Sequence, residues 1–179
     1  RKAFDTVWIN GLLFKCYEKG MNMKMWRLIK NGYNSFQCAV YIQGERGEWF
    51  MPMQGVHQGA PLSMILYIIY NNDLLEELRS SGYGLKIGDQ DLTSPAHADD
   101  VMLLALYKSC LIYLLAIAYE YSKKWRYDYN YDKCLIGIFG EDLCPSVVIT
   151  MGGQELDVEK SIKHMGVKLC TEAKARDKD

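Results

Sequence analysis

The residues in this sequence best suited to chemistry are the adjacent carboxylates of Ala96-His97-Ala98-Asp99-Asp100. They run straight into the apolar stretch Val101-Met102-Leu103-Leu104-Ala105-Leu106. Two like charges at contact distance against a water-excluding strand repel, which raises one carboxyl's pKa sharply unless a cation lies between them. A divalent metal with oxygen ligands is the natural cation. A solvated turn ahead of a core strand is the alternative, because Asp is a common turn residue. Neighbours on a regular strand point to opposite faces, so only a tight turn brings both carboxylates to one site. A second stretch, Gln54-Gly55-Val56-His57-Gln58-Gly59-Ala60-Pro61-Leu62-Ser63, places a polar segment between glycines. Its backbone can approach a ligand closely, and the Gln58 amide offers both a donor and an acceptor.

The elements that must hold these residues follow from periodicity. Leu12, Leu13, Cys16 and Tyr17 fall at helical spacing and predict a helix from about residue 9 to Lys19, stopped by Gly20. Lys2 to Trp8 reads as a strand end leading into it. A second helix carries Met21, Met25, Leu28, Ile29 and Gly32 on one side, its Met and Trp serving as core filler. Phe36 to Ile42 and Glu48 to Met51 predict a hairpin across the turn Gln43 to Gly47. Pro61 and Ser63 open a helix to Arg79 with Leu66, Ile69, Tyr70, Leu74 and Leu78 inward. A short strand at Tyr83 to Ile87 precedes the Asp99-Asp100 turn. A long helix then runs from Ser109 to Trp125 with Leu111, Leu114, Leu115, Ala118 and Tyr119 on its apolar face. Cys134 to Phe139, Val147 to Thr150 and His164 to Leu169 have strand character, and Thr171 to Asp179 is a charged tail.

Composition narrows the classes. The 179 residues are 49% hydrophobic and 24% charged, enough to bury a real core. A formal net charge of -1 gives no whole-chain electrostatic argument for a nucleic-acid partner, so such binding would rest on local patches. The six cysteines form no C-x-x-C pair and none is spaced from a histidine as in a zinc site. Reduced thiols in an intracellular compartment, nucleus or cytoplasm, are the expectation. No apolar run approaches the roughly 18 residues of a membrane span, so no membrane partner is expected. The opening Arg1-Lys2-Ala3-Phe4-Asp5, without an initiator Met, reads as an excerpt of a longer chain.

Taken together, the motifs resemble a family. Lys2-Ala3-Phe4-Asp5, Gly55 to Ser63, Ala98-Asp99-Asp100, Trp125 to Lys133 and Lys163-His164-Met165-Gly166-Val167 stand in the order and spacing of reverse transcriptases. The likeness is to the non-LTR (LINE-type) retrotransposon enzymes and covers essentially the whole chain. It implies an α+β fold: a polymerase palm-type antiparallel sheet with helices packed on one face, plus part of a fingers subdomain. By this likeness 1-20 is palm (truncated first motif and following helix), 21-53 a fingers portion, 54-170 palm, and 171-179 the start of the thumb connection.

The resemblance also implies roles. Asp99 and Asp100 would be the metal-binding and catalytic carboxylates for Mg2+ or Mn2+. Two such ions about 3.5–4 Å apart activate a primer 3′-hydroxyl and stabilise leaving pyrophosphate. Ala3 and Phe4 would line the nucleotide site, with Phe4 under the incoming sugar. Gln58 and Gly59 would contact incoming nucleotide and template, and Lys133 would protonate the pyrophosphate. Implied partners are an RNA template, a DNA primer, dNTPs, and the remaining fingers, thumb and an endonuclease domain of the parent chain. The family's third carboxylate stands three residues before Lys2, upstream of Arg1, so the excerpt alone is expected to be inactive. His97 in place of the usual aromatic, Met64 after Leu62-Ser63, and His164-Met165 depart from the pattern. They support an alternative: a catalytically dead, decayed copy acting as a nucleic-acid- or protein-binding module. A metal-dependent phosphohydrolase built on the same Asp pair is a third reading.

Overall fold

The computed structural model describes residues 3–57, 59–139, 148–164 and 166–170. They fall into two compact units, one within Arg1–Leu75 and Lys123–Tyr127, the other within Glu76–Ser122 and Asp128–Asp179. Helices and small strand pairs alternate along the chain, so the α+β character expected from sequence is present. Val147, the first residue of the strand expected from Val147 to Thr150, together with Met165 and the tail Thr171 to Asp179, lies outside the described residues.

In the first unit the chain enters through a 3-10 turn at Phe4–Thr6 rather than a strand end. The Thr6 hydroxyl donates to the Ala3 carbonyl at 3.1 Å, a local bond that competes with a ladder partner. Helix α1 (Ile9–Glu18) follows and buries Leu12, Leu13 and Cys16. It closes with Gly20 at φ +77° while the Gly20 and Met21 amides donate to the Tyr17 and Cys16 carbonyls, the bond pair that satisfies a helix C-terminus. Helix α2 (Met23–Ser35) is capped by Asn22, whose side chain accepts from the Lys24 amide at 2.9 Å. Of the apolar set expected to fill the core, only Ile29 is buried; Leu28 stays 66% exposed and Met25 46%. The Trp26 indole donates to the Leu13 carbonyl at 2.7 Å, so this residue approaches α1 by hydrogen bonding as well as by apolar contact.

Strands β1 (Tyr41–Ile42) and β2 (Glu45–Arg46) form the predicted hairpin, with Tyr41 opposite Arg46. Its turn is tighter than expected, only Gln43 and Gly44, both at positive φ as a two-residue hairpin loop demands. A further bridge joins Cys38 to Phe50. Helix α3 (Pro61–Ser80) begins with proline in its first turn and buries Leu66, Tyr70, Leu74 and Leu78, as its spacing predicts, while Ile69 is only half-buried.

One lysine organises the first unit. Lys15 lies on the apolar face of α1 and is 2% exposed. Its ammonium donates to the Tyr70 carbonyl, sits 3.3 Å from the Asp73 carboxylate, and lies 3.9 Å over the Trp125 ring. Lys19 also reaches Asp73, at 2.8 Å. Burial lowers the Lys15 pKa from 10.5 to about 8, although Asp73 pulls it back upward. Burial pushes Asp73 up, but its contacts with Lys19 and Lys15 outweigh this and leave it below the ordinary carboxylate value.

The second unit begins its sheet structure with β3 (Lys86–Ile87) and β4 (Gln90–Asp91), then β5 (Ala96–His97) and β6 (Asp100–Val101). Both pairs are antiparallel hairpins. Backbone bonds lengthen them: Leu92 donates to Leu85, Leu104 to Thr93, and Met102 to Pro95, each at 2.9 Å. Helix α4 (Lys108–Lys124) buries Leu114, Leu115, Ala118 and Tyr121, and its Tyr113 stacks on Tyr83 with centroids 4.6 Å apart. Then come β7 (Leu135–Ile136), β8 (Thr150–Met151), β9 (Gln154–Glu155), β10 (Asp157–Val158), β11 (Ser161–His164) and β12 (Val167–Cys170). The described strands pair two by two, and β7 with β10 runs parallel. The expected single strand His164 to Leu169 is instead a hairpin, β11 with β12, reversing beside Gly166 at φ +81°. Among the described residues no helix is long and apolar enough to cross a membrane.

The Lys15 site makes a stability prediction. A lysine whose folded pKa lies near 8 binds fewer protons folded than unfolded between about pH 8 and 10.5. Its contribution therefore grows more favourable as pH rises through that window. Denaturant unfolding of the native chain and of Lys15→Met at pH 7 and pH 10.5 should show the native chain gaining on the variant by about 3 kcal/mol. A gap that does not change with pH would refute the depressed pKa.

Candidate active site

The site residues expected from sequence fall into two groups, one in each unit. In the first, Ala3 and Phe4 lie at the chain's entry and Gly59 in the loop ahead of α3; Gln58 lies outside the described residues. The two segments are fastened backbone to backbone. The Val56 amide donates to the Phe4 carbonyl and the Gly55 amide to the Val7 carbonyl, both at 2.9 Å, and Trp8 bridges Gln54. Gly55 permits this approach. It has φ +97°, and a Cβ there would lie 3.2 Å from the Asp5 carbonyl oxygen. Val56 is buried, anchoring the loop from beneath.

Phe4 is half-buried, and its ring stacks on Tyr67 of α3 with centroids 4.8 Å apart and planes at 24°. The ring is thus held by packing while its backbone carbonyl holds the loop. Gly59 is exposed at φ +84°, with open space where a side chain would go. Backbone amides in such a loop can face a ligand without obstruction.

In the second unit, Ala98 and Asp99 form the two-residue loop between β5 and β6, and Asp100 opens β6 opposite His97. This is the tight turn that two neighbouring carboxylates need to escape strand alternation. Ala98 has φ +53°, a backbone region that costs an L-residue about 1 kcal/mol. Both Asp99 and Asp100 are exposed. Lys133 ends a 3-10 turn at Tyr131–Lys133 and is exposed. Among the described residues no group of three His, Cys, Asp or Glu side chains comes together as a metal site. The donors present, two carboxylates on one turn, have the hard-oxygen chemistry that suits Mg2+ or Mn2+.

Two features escaped the sequence reading. Lys15 was readable in principle, as a lysine three residues after Leu12 on an otherwise apolar face. His57 was not. Its ring lies parallel to Tyr33 at 5.0 Å and edge-on to Phe36 at 3.9 Å, contacts between segments far apart in the chain.

The turn geometry predicts an ordering of variants. Ala98→Gly should leave thermal stability equal or higher, because glycine accepts positive φ freely. Ala98→Val should lower it by ~1 kcal/mol, since a β-branched side chain is worst placed there. Melting curves for the three proteins check this, and equal stability of the valine variant would contradict the turn.

Comparison with known proteins gives the site its context. Residues 1–169 match the family described as reverse transcriptase (RNA-dependent DNA polymerase). The chain is 28% identical over 177 residues to the RNA-directed DNA polymerase from mobile element jockey of Drosophila funebris, covering 93% of this chain and 18% of that protein. It is 30% identical over 141 residues to the Pol polyprotein from the type-2 retrotransposable element R2DM of Drosophila melanogaster, covering 78% of this chain and 13% of that protein. A Nasonia vitripennis R2 polyprotein is 30% identical over 105 residues, 59% of this chain and 10% of its own length. The chain therefore spans less than a fifth of the length of these relatives. With a family match across nearly all its residues, it belongs to the reverse transcriptases, and its relatives are those of non-LTR retrotransposons.

Proposed function

We propose that this chain is the palm, with the later part of the fingers, of an RNA-directed DNA polymerase that adds dNTPs to a primer 3′-hydroxyl. The observation that carries this reading is the two-residue turn at Ala98-Asp99 in a chain of this family. Asp99 lies in the turn and Asp100 opens β6, both exposed at the hairpin tip. Asp99 and Asp100 would hold Mg2+ or Mn2+, which when bound supplies Lewis-acid stabilisation to the attacking and leaving oxygens.

The remaining residues act by position. Phe4, fixed against Tyr67, presents a rigid ring against which a sugar can pack. The loop through Gly59, tied by Val56 to Phe4, offers unobstructed backbone to a nucleotide. Lys133, charged and exposed, can deliver a proton to a leaving pyrophosphate oxygen. RNA template, DNA primer and dNTPs are the partners in this reading, with the other domains of a longer parent protein, in an intracellular setting. A palm-type antiparallel sheet is part of the same proposal, and the extended hairpins from Leu85 to Leu104 support it.

A second reading, a decayed copy that binds without catalysis, is favoured by one observation. His97 sits directly across the hairpin from Asp100, where cross-strand side chains lie about 5 Å apart. An imidazole there changes the packing beside the carboxylates.

Primer extension by the full-length parent protein on an RNA template separates the two. The polymerase reading expects DNA synthesis that needs Mg2+, stops on chelation, and is abolished by Asp99→Asn. Synthesis by Asp99→Asn at the native rate would remove that residue from metal binding. An inactive parent protein that His97→Tyr restores would establish decay.

A further inference from the structure

His57 immediately precedes Gln58-Gly59, and two aromatic rings from the end of α2 meet at its side chain. Tyr33, in the last turns of α2, lies face to face with it at 5.0 Å and an interplanar angle of 7°. Phe36, just beyond the end of α2, meets it edge-on at 3.9 Å and 77°. Offset stacking and edge-to-face contact are the two arrangements that aromatic quadrupoles favour. Burial raises the pKa of the Tyr33 hydroxyl, and the nearby His57 backbone and Ser63 side chain pull it partway back.

The same loop is tied at its upstream end, where the Val56 amide donates to the Phe4 carbonyl at 2.9 Å. At its downstream end Ser63 is buried, and its amide donates to the Ala60 carbonyl at 3.0 Å. Among the described residues between these anchors, Gly59 is exposed at positive φ with open space where a side chain would go. A loop anchored at both ends presents backbone to a ligand with little ordering cost on binding.

The geometry points to His57 as a positioning residue. Clamped between Tyr33 and Phe36, it sets the loop at Gly59 for the incoming deoxynucleoside triphosphate. This rests on the polymerase reading above. The clamp needs an aromatic ring at position 57 and no proton transfer, so phenylalanine should replace histidine while alanine should not. It also links the α2 end and the segment leading to β1 with nucleotide affinity, through packing alone.

Steady-state incorporation by the full-length parent protein on an RNA template, with hydrogen exchange of residues 54–60, tests this. His57→Ala should raise KM for dNTP about two- to tenfold, the value of one or two aromatic contacts, with kcat within about twofold. Exchange at Gly55 and Val56 should quicken in that variant while the β3–β4 hairpin is unaffected. His57→Phe should restore both values, and Phe36→Leu, which keeps histidine and its Tyr33 stack, should reproduce part of the KM rise. Were His57→Ala not to fold, the Phe36→Leu comparison alone decides. Unchanged KM, a fall in kcat alone, or failure of phenylalanine to rescue would overturn the proposal. A wild-type protein that makes no DNA, yet whose loop loosens in His57→Ala, would instead sink the polymerase reading and leave the clamp standing.

Discussion

The first unit depends on burying one charge without stranding it. Withdrawing an ammonium from water costs several kcal/mol, and only good geometry with enough acceptors offsets it. Lys15 obtains that from the Asp73 carboxylate, the Tyr70 carbonyl and the face of Trp125. These partners come from α3 and from the short segment after α4, so the three stretches cannot slide independently. The Tyr70 hydroxyl donates to the Trp125 carbonyl and closes the arrangement. With α1 and α3 in fixed register, Phe4 just ahead of α1 meets Tyr67 of α3, and the loop bound to the Phe4 backbone inherits its place. A buried ion pair is weak evidence for net stability, but removing one partner leaves an uncompensated buried charge and is strongly destabilising.

The residues proposed to carry chemistry are held differently. Asp99, Asp100, Gly59 and Lys133 are all exposed. Their positions come from backbone geometry: a two-residue turn, glycines at positive φ, amide-to-carbonyl bonds of 2.9 Å. Packing fixes the helices, and the helices fix the ends of these short segments. A polar site could not be assembled the other way, because burying its carboxylates would push them toward their neutral forms.

Legibility followed the same division. Helices α1, α3 and α4 were readable to within a residue or two, because long apolar stripes at helical spacing admit few alternatives. The Asp99-Asp100 turn was readable from chemistry, since two carboxylates in sequence have no other way to share a site. The entry segment was misread because Thr6 satisfies the Ala3 carbonyl locally, an event invisible to periodicity. Leu28 and Met25 look like core on a helical wheel, yet α2 turns Ile29 and Trp26 inward instead. The strand expected from His164 to Leu169 broke because Gly166 supplies a reversal, where alternation alone saw continuous β character. Contacts such as His57 with Tyr33 join residues that no local pattern connects.

Ala98 shows where these two kinds of constraint meet. Glycine would occupy its φ of +53° without penalty, and glycines fill the turn positions of this kind at Gly44, Gly88 and Gly166. An alanine costs about 1 kcal/mol in that conformation, but its Cβ also removes many conformations open to glycine. A freely jointed residue there would let the whole Asp99-Asp100 tip swing relative to β5, and a stiffer one limits that swing, as the proposed metal site would require. Strain held in a turn beside charged groups is a common mark of a working site. Here the residue that bears it lies between His97, which faces Asp100 across the hairpin, and the carboxylates themselves.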